Sequence, residues 1–305
     1  MPQAIGFVGL GAMGLPMLEN LASSAASPLV AYDTSDAPFR HLAALPGWGE
    51  TLSRAATLAD FGPCGVVILM LPNSAITNAV VLGAEGAPGL IDVLSCGATI
   101  IDMGSSDPIE TRRLAQLLAE RGIELADAPV SGAVSRARTG DLAIMVGGDD
   151  TVLDRLRPLL ETMGSTLIPV GRTGDAHAIK ALNNYVYAAG LLAVSEALCI
   201  AETQGLDLEK LADVLNVSSG RNVASETKVK QAILPGTYDA GFLLRLQAKD
   251  LRIARALAQD ARVDADQLSL CAKLWSDVAA AMPDADNTEI HRFLKTRTVR
   301  QGDTV

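Results

Sequence analysis

The sequence predicts an α/β protein: an N-terminal doubly wound parallel sheet, an all-α C-terminal domain, and a long helix that joins the two. Strand-like and helix-like segments alternate through the first half, which is typical of a parallel sheet. A long apolar helical pattern follows, and 305 residues suffice for two domains of about 150 residues each. We predict a first domain over residues 1–171, a helical domain over residues 172–297, and a polar tail over residues 298–305.

The strand predictions rest on short apolar runs that are bounded by Gly, Pro or Asp. Each run is too short for a helix, and the segments between the runs have helical spacing. The predicted strands are residues 4–9, 29–32, 65–71, 99–103, 123–126, 142–146 and 166–169.

The second half begins with one long predicted helix. Residues 176–203 contain no Pro and a single Gly, and their apolar residues recur at helical spacing. A membrane span needs roughly 20 apolar residues, and Asn183, Asn184, Glu196 and Glu202 interrupt this run. We therefore interpret the segment as a buried helix of a soluble domain or of a dimer interface. Further helices are predicted over residues 208–215, 225–232, 244–261, 264–282 and 288–294.

Composition and charge exclude several classes of protein. Apolar residues make up 49% of the chain, which excludes intrinsic disorder. Lys and Arg number 25 against 35 Asp and Glu, and the net charge of −10 repels phosphate backbones and anionic lipid. Aromatic residues are only 4% of the chain and supply little surface for stacking single-stranded bases. We expect neither a nucleic acid nor a membrane as a partner.

The cysteines and histidines form no pattern of a metal or redox site. The four cysteines are widely spaced among apolar or small neighbours, so we interpret them as reduced core thiols. The three histidines do not cluster, and we expect no metal. The sequence runs from Met1 directly into a strand pattern without a secretion signal, so we expect a cytoplasmic protein.

A glycine-rich turn directly follows the first predicted strand and opens a helix. It has Gly-x-Gly-x-x-Gly spacing and consists of Gly9, Leu10, Gly11, Ala12, Met13 and Gly14. In this context Gly9 permits a tight turn, Gly11 lets the backbone approach a pyrophosphate, and Gly14 lets the helix pack on the strand. The motif predicts a Rossmann-type dinucleotide-binding domain, with a turn that binds no ligand as the alternative.

Asp33 ends the second predicted strand, about 20 residues beyond the glycine-rich turn. In Rossmann-type domains the acidic residue that binds the ribose lies at this distance from the turn. A carboxylate there can accept hydrogen bonds from both hydroxyls of the adenosine ribose, and it would repel a 2′-phosphate. Thr34 follows, where a chain that binds NADP would more often carry Arg. We predict NAD in preference to NADP; the alternative is that Asp33 only caps a turn.

Polar residues also follow the next two predicted strands. Leu71, Pro72 and Asn73 end the third strand and Ser105 follows the fourth, at the sheet edge where such folds bind ligands. We predict that these residues contact the cofactor, with Asn73 and Ser105 reaching its ribose or nicotinamide. Strand-to-helix capping is an equally good interpretation of each residue taken singly.

Two later segments carry candidate chemistry. Ser131 and Gly132 lie in a turn after the fifth strand, where backbone N–H groups and a hydroxyl could bind a carboxylate. Lys180, Asn183 and Asn184 share one face of the long helix. A helical lysine is usually a solvated charge. Here two asparagines lie beside the lysine and an almost uncharged helix follows, so these polar groups stand where packing would favour apolar residues, which is energetically costly. Partial desolvation suits proton exchange with a substrate hydroxyl, so we predict that Lys180 is catalytic.

Together these motifs resemble the β-hydroxyacid dehydrogenase family, which comprises 3-hydroxyisobutyrate and tartronate semialdehyde (2-hydroxy-3-oxopropionate) enzymes related to 6-phosphogluconate dehydrogenase. The resemblance covers nearly the whole chain, and its four segments occur in the family's order. They are residues 9–14 for the cofactor, residues 127–133 for the substrate, residues 174–184 for catalysis, and Lys249 with Asp250 in the late motif.

The resemblance implies a role for each matching residue in the first three segments. Lys180 would be the general acid/base. Ser131, Gly132 and Ala133 would bind the carboxylate of the substrate.

For the residues of the helical half, the resemblance implies substrate and cofactor contacts. Asn184 would bind and orient the substrate with support from Asn183, Phe242 would line the substrate site, and Lys249 would contribute to cofactor binding. As alternatives, Lys249 is a surface charge and Phe242 is part of the core. Asp250 is interpreted as structural, pairing or capping within the last helices.

The implied reaction is the reversible, NAD-dependent oxidation of a small 3-hydroxy acid such as 3-hydroxyisobutyrate, with hydride transfer to nicotinamide. The alternatives are a 2-hydroxy-3-oxopropionate reductase, an imine reductase, which usually lacks the lysine, and a non-catalytic nucleotide-binding protein. The apolar long helix and the helical second half predict a homodimer or a homotetramer. His177 lies one turn before Lys180 and matches no family motif; we interpret it as a supporting or surface histidine, with substrate contact as the alternative.

Overall fold

A computed structural model describes residues 3–24, 26–84 and 86–302, without the side chains of residues 298–302. The chain divides into two compact units, Met1–Lys180 and Ala181–Val305. This division falls inside the long helix, whereas the sequence places the border at residues 171 and 172. We call the two parts unit 1 and unit 2.

Unit 1 contains one sheet that has nine strands among the described residues. Their order is β3-β2-β1-β4-β5-β6-β8-β7, and β9 pairs with β8. The strands are β1 (Ala4–Val8), β2 (Leu29–Tyr32), β3 (Leu52–Arg54), β4 (Cys64–Leu69), β5 (Thr99–Asp102), β6 (Glu124–Asp127), β7 (Val130–Ser131), β8 (Ala143–Gly147) and β9 (Thr166–Gly171).

The strands from β3 to β6 are parallel, which confirms the predicted doubly wound sheet. The sheet differs from the prediction at its other end, where β8 runs antiparallel to both β6 and β7. The sequence analysis also missed β3 and β7, which have only three and two residues. Such short strands are defined by their ladder hydrogen bonds and carry no periodic pattern of their own.

The strand order reverses beside β1, since the chain passes from β1 to β2 and β3 and then returns to β4 on the other side of β1. Ligands of open α/β sheets bind at such a reversal, outside the carboxyl ends of the strands. The segments that follow β1 and β4 begin at Gly9 and Met70. The topology therefore brings the glycine-rich turn and the Leu71–Asn73 segment to this edge.

Helices cover both faces of the sheet. Successive residues of each strand point to opposite sides, so each strand contributes apolar side chains to a cluster on either face. Phe7 and Ile68 belong to one buried apolar cluster, and their chain neighbours Val8 and Val67 belong to another. The α-helices of unit 1 are α1 (Gly14–Ser24), α2 (Ala37–Leu42), α3 (Ser74–Leu82), α4 (Leu90–Val93), α5 (Pro108–Ala119), α6 (Ala133–Thr139) and α7 (Asp150–Leu160). A 3₁₀ helix covers Leu58–Phe61.

Helix α8 (Asp175–Thr203) continues from unit 1 into the helical unit 2, as predicted. The other elements of unit 2 are α9 (Leu208–Val217), a π-helix (Ala224–Ile233), α10 (Leu244–Asp260), α11 (Asp266–Ala281), a 3₁₀ helix (Asn287–Glu289) and α12 (Ile290–Gly302). Their core is built around Trp275, whose side chain is fully buried. Helix α12 includes residues 298–302, which the sequence assigned to a polar tail, and residues 303–305 lie outside the described residues.

Helix α8 is long and apolar enough to cross a membrane by length and composition, with a mean hydropathy of 1.4 in its most apolar window. In that window 44% of the residues are buried inside the protein. Core helices of soluble proteins pass the same test, so this finding is weak evidence for a membrane span.

The prediction that all four cysteines are core thiols is wrong for Cys96, which is exposed. Cys64, Cys199 and Cys271 are buried, and burial raises the pKa of Cys64 and of Cys271 to about 11. These two thiols therefore stay protonated at neutral pH, as expected of core residues.

The close packing of β1 against the 3₁₀ helix makes a testable prediction at Gly6. A Cβ atom there would lie 2.4 Å from Cδ1 of the buried Phe61 ring. We expect Gly6→Ala to lower the free energy of unfolding by about 1–3 kcal/mol, because the added methyl overpacks the core. Urea unfolding followed by circular dichroism measures this change.

Gly62→Ala is the matched control. Its added Cβ would meet no atom closer than 3.6 Å, so we expect no loss of stability. Equal destabilisation by the two substitutions would contradict the packing argument.

Candidate active site

The glycine-rich turn has the geometry that a bound pyrophosphate requires. Gly9 has a φ of +97°, and a Cβ on it would lie 2.4 Å from the carbonyl oxygen of Met70. A Cβ on Gly14 would lie 1.9 Å from the carbonyl oxygen of Gly9. By contrast, a Cβ on Gly11 would meet no described atom within 4 Å. Two glycines therefore form the turn, and the third leaves open space at the N-terminus of α1, where a phosphate group fits.

The other residues of the turn differ in exposure. Leu10 is buried in the core under the turn, and Met13 is half-buried against the same apolar cluster. Ala12 is exposed, like Gly11. The exposed pair is the part of the turn that a ligand can approach.

The Asp33 carboxylate is tied to two backbone segments. One oxygen accepts the Leu10 N–H at 2.6 Å, and the other accepts the Ser35 N–H at 2.7 Å. The first bond joins the acid to the glycine-rich turn, and the second is the local turn cap that the sequence analysis kept as an alternative. Each carboxylate oxygen has a further lone pair, so both can also accept ribose hydroxyls.

The segments after β4 and β5 pack closely together. A Cβ on Gly104 would lie 2.5 Å from the carbonyl oxygen of Leu71. Asn73 is the N-cap of α3, and its side chain accepts the Ile76 N–H at 3.0 Å. The capping interpretation therefore holds for the side-chain oxygen of Asn73. Pro72 is exposed.

Ser105 is half-buried and lies three residues after Asp102, whose side chain is held by hydrogen bonds. The buried Asp102 accepts the Gly104 N–H at 2.9 Å and the Ser106 hydroxyl at 2.7 Å. These two bonds hold the backbone on both sides of Ser105. The serine is thus presented by a constrained loop at the carboxyl end of β5.

The segment predicted to bind a carboxylate has a strained backbone. Ser131 ends β7, Gly132 has a φ of +144°, and Ala133 has a φ of +58°. The left-handed region costs a non-glycine residue about 1–2 kcal/mol, and such strain clusters at functional sites. A Cβ on Gly132 would also lie 2.7 Å from Cδ of Arg136, so a glycine is required there.

Lys180 lies in the second turn of α8 and is half-buried. The start of this helix is held by Asp127, whose oxygens accept the Gly174 N–H at 2.7 Å and the His177 N–H at 2.9 Å. Asp127 is fully buried at the end of β6. The sheet therefore sets the position of the helical segment that carries the lysine.

In unit 2, Asn184 is held by a network that the sequence analysis only partly identified. Its amide nitrogen donates to Asp250 at 2.6 Å, and its amide oxygen accepts the Asn183 amide at 3.2 Å. Gln247 donates to the Asn184 carbonyl oxygen at 3.1 Å. Asn184, Asp250 and Gln247 are buried, whereas Asn183 is exposed. The i, i+3 spacing of Gln247 and Asp250 on α10 is the sequence signal for this pair.

Lys249 lies beside the same network. Its ammonium is 3.3 Å from the second oxygen of Asp250, and its side chain is only 15% exposed. The surface-charge interpretation of Lys249 is therefore wrong. Asp250 pairs as the sequence analysis expected, but with the predicted site residues Lys249 and Asn184.

Phe242 is half-buried just before α10. Its backbone N–H donates to Asp286 at 3.1 Å, and its carbonyl accepts the Asn287 N–H at 2.7 Å. The backbone of Phe242 is thus fixed by the segment that precedes α12.

Two protein families match the two parts of this chain. Residues 4–171 match the NAD binding domain of 6-phosphogluconate dehydrogenase. Residues 174–294 match the family described as NAD-binding of NADP-dependent 3-hydroxyisobutyrate dehydrogenase.

Characterised relatives match over most of their length. The chain is 33% identical over 275 residues to 2-(hydroxymethyl)glutarate dehydrogenase of Eubacterium barkeri, covering 89% of this chain and 87% of the relative. It is 34% identical over 281 residues to 2-hydroxy-3-oxopropionate reductase of Escherichia coli strain K12, covering 90% and 91%.

A solved structure agrees with these relatives. The 3-hydroxyisobutyrate dehydrogenase of Mycobacterium tuberculosis with L-serine superposes with a TM-score of 0.85 at 28% identity, covering 97% of this chain and 100% of that chain. The matches span both units. The chain therefore belongs to the β-hydroxyacid dehydrogenase family and is an oxidoreductase that uses a nicotinamide cofactor.

Proposed function

We propose that this protein is an NAD-dependent dehydrogenase that reversibly oxidises the hydroxyl group of a small 3-hydroxy acid, with Lys180 as general acid/base. One observation carries the proposal. Lys180 and Asn184 lie one turn apart on α8, and buried Asp250 fixes the amide of Asn184. Such a pair joins a proton-transfer group to an oriented hydrogen-bonding group, which is what the oxidation of an alcohol requires.

The substrates named for the relatives support this substrate class. 2-(Hydroxymethyl)glutarate, 3-hydroxyisobutyrate and 2-hydroxy-3-oxopropionate each carry a carboxylate and an oxygen on the third carbon. The strained segment Ser131, Gly132 and Ala133 offers backbone N–H groups and a hydroxyl for that carboxylate. The net charge of −10 also favours a small molecule over a nucleic acid or an anionic membrane.

In the oxidative direction, Ser131 and the two residues after it bind the carboxylate, and Asn184 orients the hydroxyl. Lys180, as the neutral amine, takes the proton from that hydroxyl. When bound, the nicotinamide cofactor supplies the acceptor for the hydride from the same carbon. In the reductive direction, the Lys180 ammonium polarises the carbonyl and donates its proton to the oxygen. Reduction of 2-hydroxy-3-oxopropionate is the alternative activity, and it uses the same residues in this second direction.

Asp33 supports NAD as the preferred cofactor. Its carboxylate faces the glycine-rich turn through Leu10, and a 2′-phosphate next to it would be repelled. Arg54, at the end of the neighbouring β3, is engaged with other groups: its guanidinium pairs with Asp36 at 2.6 Å and lies 4.2 Å from the centroid of the Phe39 ring.

One prediction of the proposed function concerns the acid/base. We expect Lys180→Ala to lower kcat by about 10²–10⁴, the usual range for a lost general acid/base, with little change in cofactor affinity. Absorbance of NADH with a panel of 3-hydroxy acids measures turnover, and titration of the cofactor measures its Kd. Added methylamine should restore part of the rate, since it supplies the missing amine.

Lys210→Ala is the control, because this lysine lies on α9 with its side chain 82% exposed. Wild-type turnover in Lys180→Ala would refute the proposed role of Lys180. Cofactor binding without turnover of any hydroxy acid by the wild-type protein would favour a non-catalytic nucleotide-binding protein.

Another prediction of the proposed function concerns the cofactor. We expect Asp33→Ser combined with Thr34→Arg to shift kcat/KM toward NADP by about two orders of magnitude, because like charges placed together cost several kcal/mol and about 1.4 kcal/mol is tenfold. Parallel assays with the two cofactors measure the ratio. A wild-type protein that already prefers NADP would refute the assignment of Asp33.

We further propose that the chain forms a homodimer or homotetramer. Large apolar side chains are exposed on α8 and α9, where a monomer would leave them in water. They include Leu182, Val186, Ile200, Val214 and Val217, which are 46–86% exposed.

Light scattering coupled to size-exclusion chromatography tests this proposal. We expect a mass of about 64 kDa or a multiple of it, since one chain has 31.8 kDa and the exposed apolar surface favours association. A monomeric mass at micromolar concentration would contradict the proposal.

A further inference from the structure

A cluster of buried polar side chains lies under the start of α8. It contains Asp102 at the end of β5, Asp127 at the end of β6, Thr111 on α5 and His177 on α8. Each of the four residues is at most 3% exposed. Burying two carboxylates is costly unless hydrogen bonds satisfy them, so such a cluster needs a physical reason.

The backbone of α8 is held by the first of these carboxylates. Asp127 accepts the N–H groups of Gly174 and His177, which no carbonyl of the helix can reach at its first turn. A negative charge at this end also interacts favourably with the helix dipole. Asp127 thus sets where the helix begins.

The side chain of His177 makes a second connection, to α5. Its Nδ1 lies 2.8 Å from the Thr111 hydroxyl oxygen. That hydroxyl has one proton, which it donates to the Asp107 carbonyl at 3.0 Å. The threonine oxygen must therefore accept its second bond, so Nδ1 of His177 carries the proton and donates.

The other ring nitrogen has a different environment. Nε2 of His177 has no hydrogen-bond partner among the described residues, and Oδ2 of Asp102 is 4.0 Å away. Asp127 Oδ2 lies 3.8 Å from Nδ1. The described residues contain no group of three or more His, Cys, Asp and Glu side chains arranged to hold a metal ion.

We propose that His177 is a positioning residue for Lys180, an inference that rests on the proposed function. Lys180 lies three residues after His177, one turn further along the same helix. The Nδ1 bond to Thr111 and the N–H bond to Asp127 fix both the rotation of α8 about its axis and its distance from the sheet. The direction in which the lysine side chain leaves the helix follows from these two quantities.

The same cluster reaches the other candidate site segments of unit 1. Asp102 holds the backbone around Ser105. Asp127 is the last residue of β6 and lies four residues before Ser131. His177 lies within 4.0 Å of both carboxylates. Through these contacts His177 sets the position of Lys180 relative to the loops proposed to bind cofactor and substrate.

Two substitutions of His177 test the proposal. The amide nitrogen of Asn stands near the place of Nδ1, whereas that of Gln stands near the place of Nε2. We expect His177→Gln to lower kcat about 10- to 100-fold, because a displacement of about 1 Å can cost this much, while the KM for NAD stays close to wild type. His177→Asn should keep the donor to Thr111 and therefore retain most of the wild-type kcat.

Thr111→Val is a second variant, which leaves the histidine in place and removes its acceptor, together with the bond from the Thr111 hydroxyl to the Asp107 carbonyl. It should reproduce the loss of kcat seen for His177→Gln. Steady-state kinetics with a saturating 3-hydroxy acid measure kcat and the KM for NAD, and thermal unfolding is recorded for each variant.

His291→Gln is the control matched to His177→Gln, since His291 is also buried and its Nδ1 lies 3.0 Å from the Tyr238 hydroxyl, but it lies in unit 2 on α12. It should lower the Tm without the loss of kcat. Wild-type kcat in His177→Gln and Thr111→Val would overturn the inference. So would equal losses in His177→Asn and His177→Gln, since these would follow from damaged packing alone. Activity retained by Lys180→Ala would overturn the proposed function instead.

Discussion

The Asp127 carboxylate is the constraint on which the candidate site of unit 1 depends. It is fully buried at the end of β6 and accepts two N–H groups from the start of α8. The bonds to Asp127 select the first turn, and a one-residue change of that start would rotate Lys180 by about 100° around the helix axis.

The polar residues at the strand ends of unit 1 have local structural roles that are compatible with ligand binding. Asp33 caps a turn and holds Leu10, and Asn73 caps α3. A carboxylate or amide oxygen that accepts one N–H still has a lone pair for a ligand hydroxyl. Capping therefore leaves these oxygens able to accept a hydroxyl of a ligand, and the capping bond fixes their positions.

In unit 2, the chemistry of the candidate residues is set by a carboxylate as well. Asp250 accepts the Asn184 amide and pairs with Lys249, so one buried negative charge orients two predicted site residues. A buried carboxylate with an amide donor and an ammonium beside it has the partners that its desolvation requires. Removing Asp250 would take from the largely buried Lys249 the carboxylate that lies 3.3 Å from its ammonium.

The sequence by itself determined the features that depend on neighbouring residues. Strand and helix alternation, the glycine spacing of residues 9–14 and the helical face shared by Lys180 and Asn184 follow from local conformational preferences. Tertiary structure alone decided the reversal of strand direction at β8, the exposure of Cys96, and the bonds of His177 to Thr111 and of Asn184 to Asp250. Each of these bonds joins residues 66 positions apart, and no local pattern records which distant group packing will bring into reach.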